Sequence, residues 1–145
     1  YQAARPGAPA PAVWSAIQTD AVFRIPAVRL AEAQLDAGGE VFMYRFDRGT
    51  PAFGGILGAC HAIEIPYVFD NLGRNGVEAL LGPVDEEALA VAAATSGAWL
   101  AFAQTGDPGW PAYGTDRRAT KIFGTPTTVA DDPEADLRQL WSGIV

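Results

Sequence analysis

A chain of 145 residues that is 49% hydrophobic and 19% charged has the apolar content of one folded domain and too much of it for disorder. Ten Lys and Arg against 17 Asp and Glu give a formal charge of −7, and the cations are scattered arginines apart from Lys121, a balance that argues against nucleic acid or an anionic membrane surface as a partner. One Cys and one His exclude a disulfide framework and a zinc site built from several thiolate or imidazole ligands, so neither a metal nor a cofactor is expected.

Tyr1 to Pro11 has neither the basic region nor the apolar run of a signal peptide. No stretch reaches the roughly 20 continuous apolar residues that span a bilayer, so no membrane attachment is expected. The chain opens on Tyr-Gln rather than Met and is therefore expected to be a piece of a longer polypeptide.

Residues 1–13, rich in proline and alanine, read as a flexible arm or torn loop, with packed structure expected from Trp14 onward as a single segment, 14–145. Ser15 to Ala37 reads as helix in two pieces, because Pro26 lacks an N–H and its ring crowds the preceding turn. The second piece ends at Gly38-Gly39, a left-handed stop. Glu40 to Phe46 (EVFMYRF) has apolar residues on both parities apart from Arg45, the pattern of a strand covered on both faces of an α/β sheet.

Asp47 to Gly58 is a loop with four glycines and a proline, and it delivers Cys60 and His61. Ile63 to Phe69 carries Pro66 and so makes a poor central strand; a loop or a short helical turn is expected. Asp85 caps a helix whose first turn holds Glu86 and Glu87 at the positive end of the dipole. That helix passes Leu89, Ala92, Ala93, Ser96, Trp99, Leu100 and Ala103 and stops at Gly106 and Pro108. Lys121 to Phe123 and Thr127 to Val129 are short strands, and Pro133 to Trp141 is a final amphipathic helix. One good strand, two or three short ones and three helices leave much apolar surface without a sheet to cover. Part of a larger α/β domain is the expectation.

Few residues are available for chemistry. A lone histidine such as His61 is more often a structural hydrogen-bonding residue than a catalyst. Its neighbour Cys60 is a poor partner for it, since adjacent side chains diverge, and reads as a small buried hydrophobe. Ser15, Ser96 and Ser142 are the available serines, and none stands in G-x-S-x-G. The Asp131, Asp132, Glu134 and Asp136 cluster and the Asp116-Arg117-Arg118 turn read as solvated surface. Glu64 lies between Ile63 and Ile65; if they bury it, its charge must be paired, in a structural network or a functional one.

The segment GACHAIEIPYVFDNL, Gly58 to Leu72, resembles the histidine-bearing segment of the type-B carboxylesterases, the cholinesterase-like branch of the α/β-hydrolases, and especially their bacterial para-nitrobenzyl esterase members. Further blocks follow in family order: TDAVFRIPAVRLAEAQ (Thr19 to Gln34), VFMYRFD (Val41 to Asp47), WLAFAQTGDPGWPAY (Trp99 to Tyr113) and KIFGTPTTVADDP (Lys121 to Pro133). The resemblance extends over nearly everything after residue 13. It implies the C-terminal portion of an α/β-hydrolase fold: the last sheet strand or strands, the histidine loop and packing helices.

By the same resemblance His61 is the catalytic histidine of a Ser-His-Glu or Ser-His-Asp triad, and Glu64 belongs to the buried polar network beside it. Many relatives carry glycine directly after the histidine, where this chain has Ala62. In α/β-hydrolases the triad runs serine, acid, histidine along the chain, so the serine elbow, the oxyanion-hole loop and the acid are expected upstream of Tyr1. Asp47, on the strand that leads into the histidine loop, does not suit the acid. Phe53 and Leu57 are the candidates for lining the substrate pocket.

The implied function is carboxylic-ester hydrolysis on a small-molecule substrate, with the N-terminal part of the same enzyme as partner and the isolated chain inactive. The alternative is a non-catalytic cholinesterase-like binding or adhesion module. A single cysteine favours a cytoplasmic over a secreted protein.

Overall fold

The computed structural model describes residues 1–144. Two compact units are formed, each from separated stretches of chain. The first comprises Tyr1–Val41, Ala112–Arg118 and Asp131–Val145; the second comprises Phe42–Pro111 and Ala119–Ala130.

In the first unit, prolines set the helix boundaries. Helix α1 (Ala10–Thr19) begins with Pro9 as its extended N-cap and Pro11 in its first turn, where the missing N–H costs nothing. It therefore starts four residues ahead of Trp14. The chain then passes through a π-helical turn, Asp20–Arg24, into α2 (Ile25–Asp36), which has Pro26 in its first turn. Widening the turn ahead of a proline accommodates its ring and missing donor, so the expected break takes the form of a π turn between two helices. Gly38 ends the run with φ of 82°.

The first nine residues form turns. The Tyr1 hydroxyl donates to the Asp20 carboxylate, and the Trp141 indole N–H donates to the Tyr1 oxygen at 2.6 Å. Asp20 is only 4% exposed and accepts two 2.6 Å hydrogen bonds from Arg24. Burial by itself would raise the Asp20 pKa, but the hydrogen bonds from Arg24 and Tyr1 and the Arg24 charge outweigh it and hold the carboxyl below its ordinary range. A group whose folded pKa is depressed contributes stability above its unfolded pKa, about 4, and that contribution is lost as pH falls through the folded value. Asp20→Asn is therefore expected to destabilise the chain by about 3 kcal/mol at pH 7, because the half-buried Arg24 cation loses its 2.6 Å partner and keeps only the 3.9 Å contact to Glu134. Urea midpoints at pH 7 and pH 2.5 check this: the gap between wild type and variant should shrink at the acid end, and an unchanged gap would contradict it.

Helix α6 (Ala135–Gln139) is shorter than the sequence suggests and buries Leu137. The acidic run before it is ion-paired: Asp132 accepts two hydrogen bonds from Arg138 at 2.9 and 2.7 Å, and Asp131 pairs with Arg117 at 2.7 Å. Arg118 reaches Glu32 at 2.9 Å.

The second unit is built on a three-stranded sheet of order β1-β2-β3, with β1 Met43–Phe46, β2 Ala119–Phe123 and β3 Thr128–Asp131, whose last residue passes into the first unit. β1 and β2 are parallel, with Met43 opposite Thr120 and Phe46 opposite Phe123. Parallel pairing requires a long crossover. It is supplied by residues 47–118, which include α3 (Ile65–Val68), α4 (Glu78–Leu81) and the long α5 (Glu86–Thr105).

All four β1 residues are half-buried rather than covered on both faces. Its one paired edge is toward β2, and it ends the sheet on the other side. The four-residue α4, absent from the sequence reading, is nucleated by turns at Arg74 to Val77 and ends at Gly82. Gly82 has φ of 70°, and a Cβ there would lie 2.7 Å from Pro51 Cγ, so glycine is required on both counts.

Helix α5 has the termini its sequence specifies. Asp85 accepts the Ala88 N–H at 2.6 Å, and Gly106 closes the helix in the left-handed conformation. By length and composition alone α5 could cross a bilayer. In its unit it buries Ala88, Val91, Ala92 and Thr95. Ala88, Val91 and Ala92 join Ile63, Tyr67, Leu72, Leu81 and Phe123 in the core. Leu89, Trp99, Leu100 and Phe102, four large apolar residues of the same helix, stay exposed.

Candidate active site

His61 stands at the end of the loop that follows β1, and the local structure of this loop is set residue by residue. Thr50 N donates to the Gly58 carbonyl at 3.0 Å, forming an isolated antiparallel bridge that closes the intervening residues into a small lobe. The Thr50 hydroxyl donates to the Leu80 carbonyl at 2.5 Å and accepts from Ala52 N at 3.0 Å. Buried Thr50 thus ties the lobe to α4. Inside the lobe, Phe53, Gly54 and Gly55 all have positive φ, which lets the chain reverse within a few residues. Phe53 is 71% exposed, Ile56 85% and Leu57 40%.

The histidine follows directly. Ile63 N bonds to the Cys60 carbonyl and Ile65 N to the Ala62 carbonyl, so residues 60–65 form successive turns that run into α3. His61 itself is exposed, while Ile63 two residues on is 2% exposed and anchors the turn in the core. Cys60 is partly buried and packs on that core, consistent with a small apolar side chain.

Ala62 has φ of 66°, a conformation an L residue adopts at a cost of about 1 kcal/mol and glycine adopts freely. The expected stability order at this position is therefore Gly at or slightly above Ala, with Ala62→Val lower than Ala by about 2 kcal/mol because a β-branched side chain is strained there. Thermal melts of the three forms test the order, and a valine variant as stable as the parent would rule out strain at this turn.

Glu64 is half-buried and shares the turn with His61. Its backbone carbonyl accepts from Tyr67 N and Val68 N, both at 2.9 Å, which starts α3. Its side chain lies near Tyr44 of β1: burial, and then the Glu64 charge, push the Tyr44 phenol above its ordinary pKa. Asp47, at the end of β1, is held by two 2.6 Å hydrogen bonds from Arg45 and lies exposed. Its carboxylate is therefore committed to a neighbour on its own strand.

Of the residues singled out from the sequence, Phe53, Leu57, His61 and Glu64 are brought onto one loop and turn. Two residues that tie this loop to other elements, Arg48 and Thr50, are not singled out from the sequence, because the acceptors their side chains reach on those elements lie between 19 and 77 positions away. An open apolar groove of about 200 Å³ lies elsewhere in the unit, lined by Phe42, Tyr44, Trp99, Phe102 and Trp110 among others. The Trp110 indole N–H is already used on the Met43 carbonyl at 3.1 Å. Among the described residues no group of three or more His, Cys, Asp and Glu is placed to hold a metal ion.

A parallel strand pair bridged by a long crossover, with a histidine turn at the end of the loop that follows the first strand, places the chain in the α/β-hydrolase class as part of such a domain. It belongs to the carboxylesterase family, whose profile matches residues 9–137. The para-nitrobenzyl esterase of Bacillus subtilis is 37% identical over 129 residues, which is 85% of this chain and 26% of that protein. Phenmedipham hydrolase of Pseudarthrobacter oxydans is 36% identical over 88 residues, 56% of this chain and 18% of that protein. A solved carboxylesterase of Geobacillus stearothermophilus superposes with a TM-score of 0.81 at 41% identity, covering 94% of this chain and 29% of that one. The chain thus spans about a quarter of the length of the curated para-nitrobenzyl esterase and less of the hydrolase.

Proposed function

We propose that this chain carries the general base of a serine carboxylesterase, with His61 in that role and with the serine, the acid and the oxyanion hole contributed by a part of the enzyme upstream of Tyr1. The observation that carries the reading is the position of the one imidazole: exposed, on a turn anchored in the core on its C-terminal side and tied to α4 on the other, in a chain of this family. Ser15, the serine that precedes His61, lies within α1 between Trp14 and Ala16 and not on a nucleophile elbow. On this reading the triad, ordered serine, acid, histidine, draws its last member from these residues and its serine from upstream.

In the proposed cycle His61 accepts the serine proton as the serine oxygen attacks the ester carbonyl. It returns that proton to the departing alkoxide as the carbon–oxygen bond to the alcohol breaks, leaving an acyl-enzyme. Water, deprotonated by His61 in turn, releases the acid and restores the serine. Glu64 supports the site from within the same turn, and Phe53 and Leu57 offer apolar surface to a small ester. The free edge of β1 and the exposed apolar residues of α5 support the same reading, since both are surfaces that a larger sheet and its helices would cover.

Turnover of a para-nitrophenyl ester tests the assignment. The 145-residue chain alone should give none, and co-expression with the upstream part of the same enzyme should restore it. Hydrolysis by the isolated chain that disappears in His61→Ala would overturn the two-part assignment. A joined protein that lacks both G-x-S-x-G and turnover would favour the binding-module alternative.

A further inference from the structure

The most connected side chain around the histidine loop is Arg48, two residues past the end of β1. Its side chain is 14% exposed and donates to four acceptors. Nε reaches the Tyr67 hydroxyl at 3.2 Å, Nη2 reaches Asp85 at 2.6 Å, and Nη1 reaches Glu87 at 3.3 Å and the Thr125 hydroxyl at 3.5 Å. These partners belong to α3, to the N-terminus of α5 and to the connection between β2 and β3. One guanidinium therefore ties the histidine segment to the long helix and to the sheet.

The link to His61 runs through Tyr67. The Tyr67 ring is 3% exposed and packs on Phe46 of β1 at a centroid separation of 4.9 Å. From Tyr67 an unbroken series of backbone turns leads back to the histidine, through Tyr67 N to the Glu64 carbonyl, Ile65 N to the Ala62 carbonyl and Ile63 N to the Cys60 carbonyl. Residues 48 and 67 are 19 apart, and the loop between them holds the glycines and exposed apolar residues of the Thr50 lobe. Thr50 secures the near end of that loop, and the Arg48–Tyr67 contact adds a polar tie at the far end.

We propose that Arg48 is a positioning residue which, by holding Tyr67, fixes the turn that presents the His61 imidazole. Arg48 touches no reacting atom, and the inference deepens the esterase reading, on which its catalytic consequence rests. The planar fork is what the site uses: an ammonium on a lysine stem cannot reproduce donation to acceptors on three separate segments. Even so, the Arg48→Lys variant keeps the charge beside Asp85 and Glu87, so it separates charge from geometry.

The chain's single histidine supplies a clean probe. In the full 145-residue chain, Arg48→Met is expected to shift or broaden the one imidazole signal seen by NMR. It should also raise amide exchange at residues 61–67 by more than about tenfold, while Val91 and Ala92 of α5 stay protected. Arg48→Lys should fall between the parent and Arg48→Met. Tyr67→Phe, which keeps the packed ring and removes only the hydroxyl, should reproduce the local effect and covers the case in which Arg48→Met fails to fold. An unchanged imidazole signal and unchanged exchange at 61–67 in a folded Tyr67→Phe or Arg48→Met variant would overturn the proposal.

In the enzyme joined with its upstream part, the Arg48→Met and Tyr67→Phe variants should lower kcat about tenfold with KM within about twofold, and Arg48→Lys should recover part of the loss. Full activity in both variants, with kcat of His61→Ala lowered about 10⁴-fold, rejects the positioning role and leaves the esterase reading intact. A loss under about tenfold in His61→Ala rejects His61 as the general base, and the NMR result still decides whether Arg48 holds the turn.

Discussion

Replacing His61 by alanine in the joined enzyme is expected to lower kcat on a small ester by about 10⁴-fold or more, with KM changed by no more than a few-fold. The size follows from the role. A serine hydroxyl is a poor nucleophile until its proton has somewhere to go, and the departing alkoxide is a poor leaving group until it is protonated; one imidazole serves both steps. Substrate binding rests on other contacts, so the loss belongs in kcat. Residual activity from the oxyanion hole should remain, because those donors do not depend on the histidine. Steady-state kinetics on the alanine and glutamine variants provide the measurement. A loss under about tenfold in both would remove His61 from proton transfer, whatever else the variants did.

The second large effect is expected in the core beneath the site. Phe123 is fully buried at the end of β2, opposite Phe46 in the parallel ladder, and its backbone carbonyl accepts the N–H of Asp47 at 2.8 Å where the histidine loop begins. Its ring meets Tyr44 edge-on at 5.5 Å and Trp110 at 5.8 Å. Truncation to alanine removes the ring from a closed environment and leaves a cavity, at a cost of about 3 to 5 kcal/mol. That is a large part of the roughly 5 to 15 kcal/mol by which domains are usually stable. Phe123→Leu keeps most of the volume and should cost about 1.5 kcal/mol, which makes it the better variant if the alanine form is unfolded. Urea denaturation decides the matter. A loss below about 1 kcal/mol for the alanine variant would mean that the neighbouring rings collapse into the space.

These two residues show different degrees of legibility in the sequence. His61 stands out because it is the only imidazole and sits in a segment whose order of residues matches a family. Its setting is partly legible: glycines and a proline announce a loop, and Pro66 rules out a strand and leaves the short helix that forms. The left-handed conformation of Ala62 is not, since alanine does not advertise positive φ. Phe123 reads as one more residue of a short β run, and only pairing with β1 makes it the centre of the core.

The ends of α5 are written within a few residues, in the Asp85 cap with its acidic first turn and in the Gly106 stop, because capping is a hydrogen bond between near neighbours. The same locality fixes the break at Pro26, although its form, a π turn, depends on how the two helices continue. What the local pattern does not decide is which face of α5 is buried. Leu89, Trp99 and Leu100 are its larger apolar residues and are exposed, while the smaller Ala88, Ala92 and Thr95 are inside, where close approach to α3 and the sheet matters more than side-chain size.

The amino-acid sequence by itself determined the family, the ends of α5 and the break at Pro26, the scarcity of groups for chemistry and the candidate histidine, all of them properties of adjacent residues or of their order. The tertiary structure alone decided that β1 is half-buried and paired on one edge, and that Arg48 joins three distant segments behind the histidine turn. The physical reason is range: caps and turns close over three or four residues, whereas a parallel strand pair and a multidentate guanidinium are contacts between residues that only the folded chain brings together.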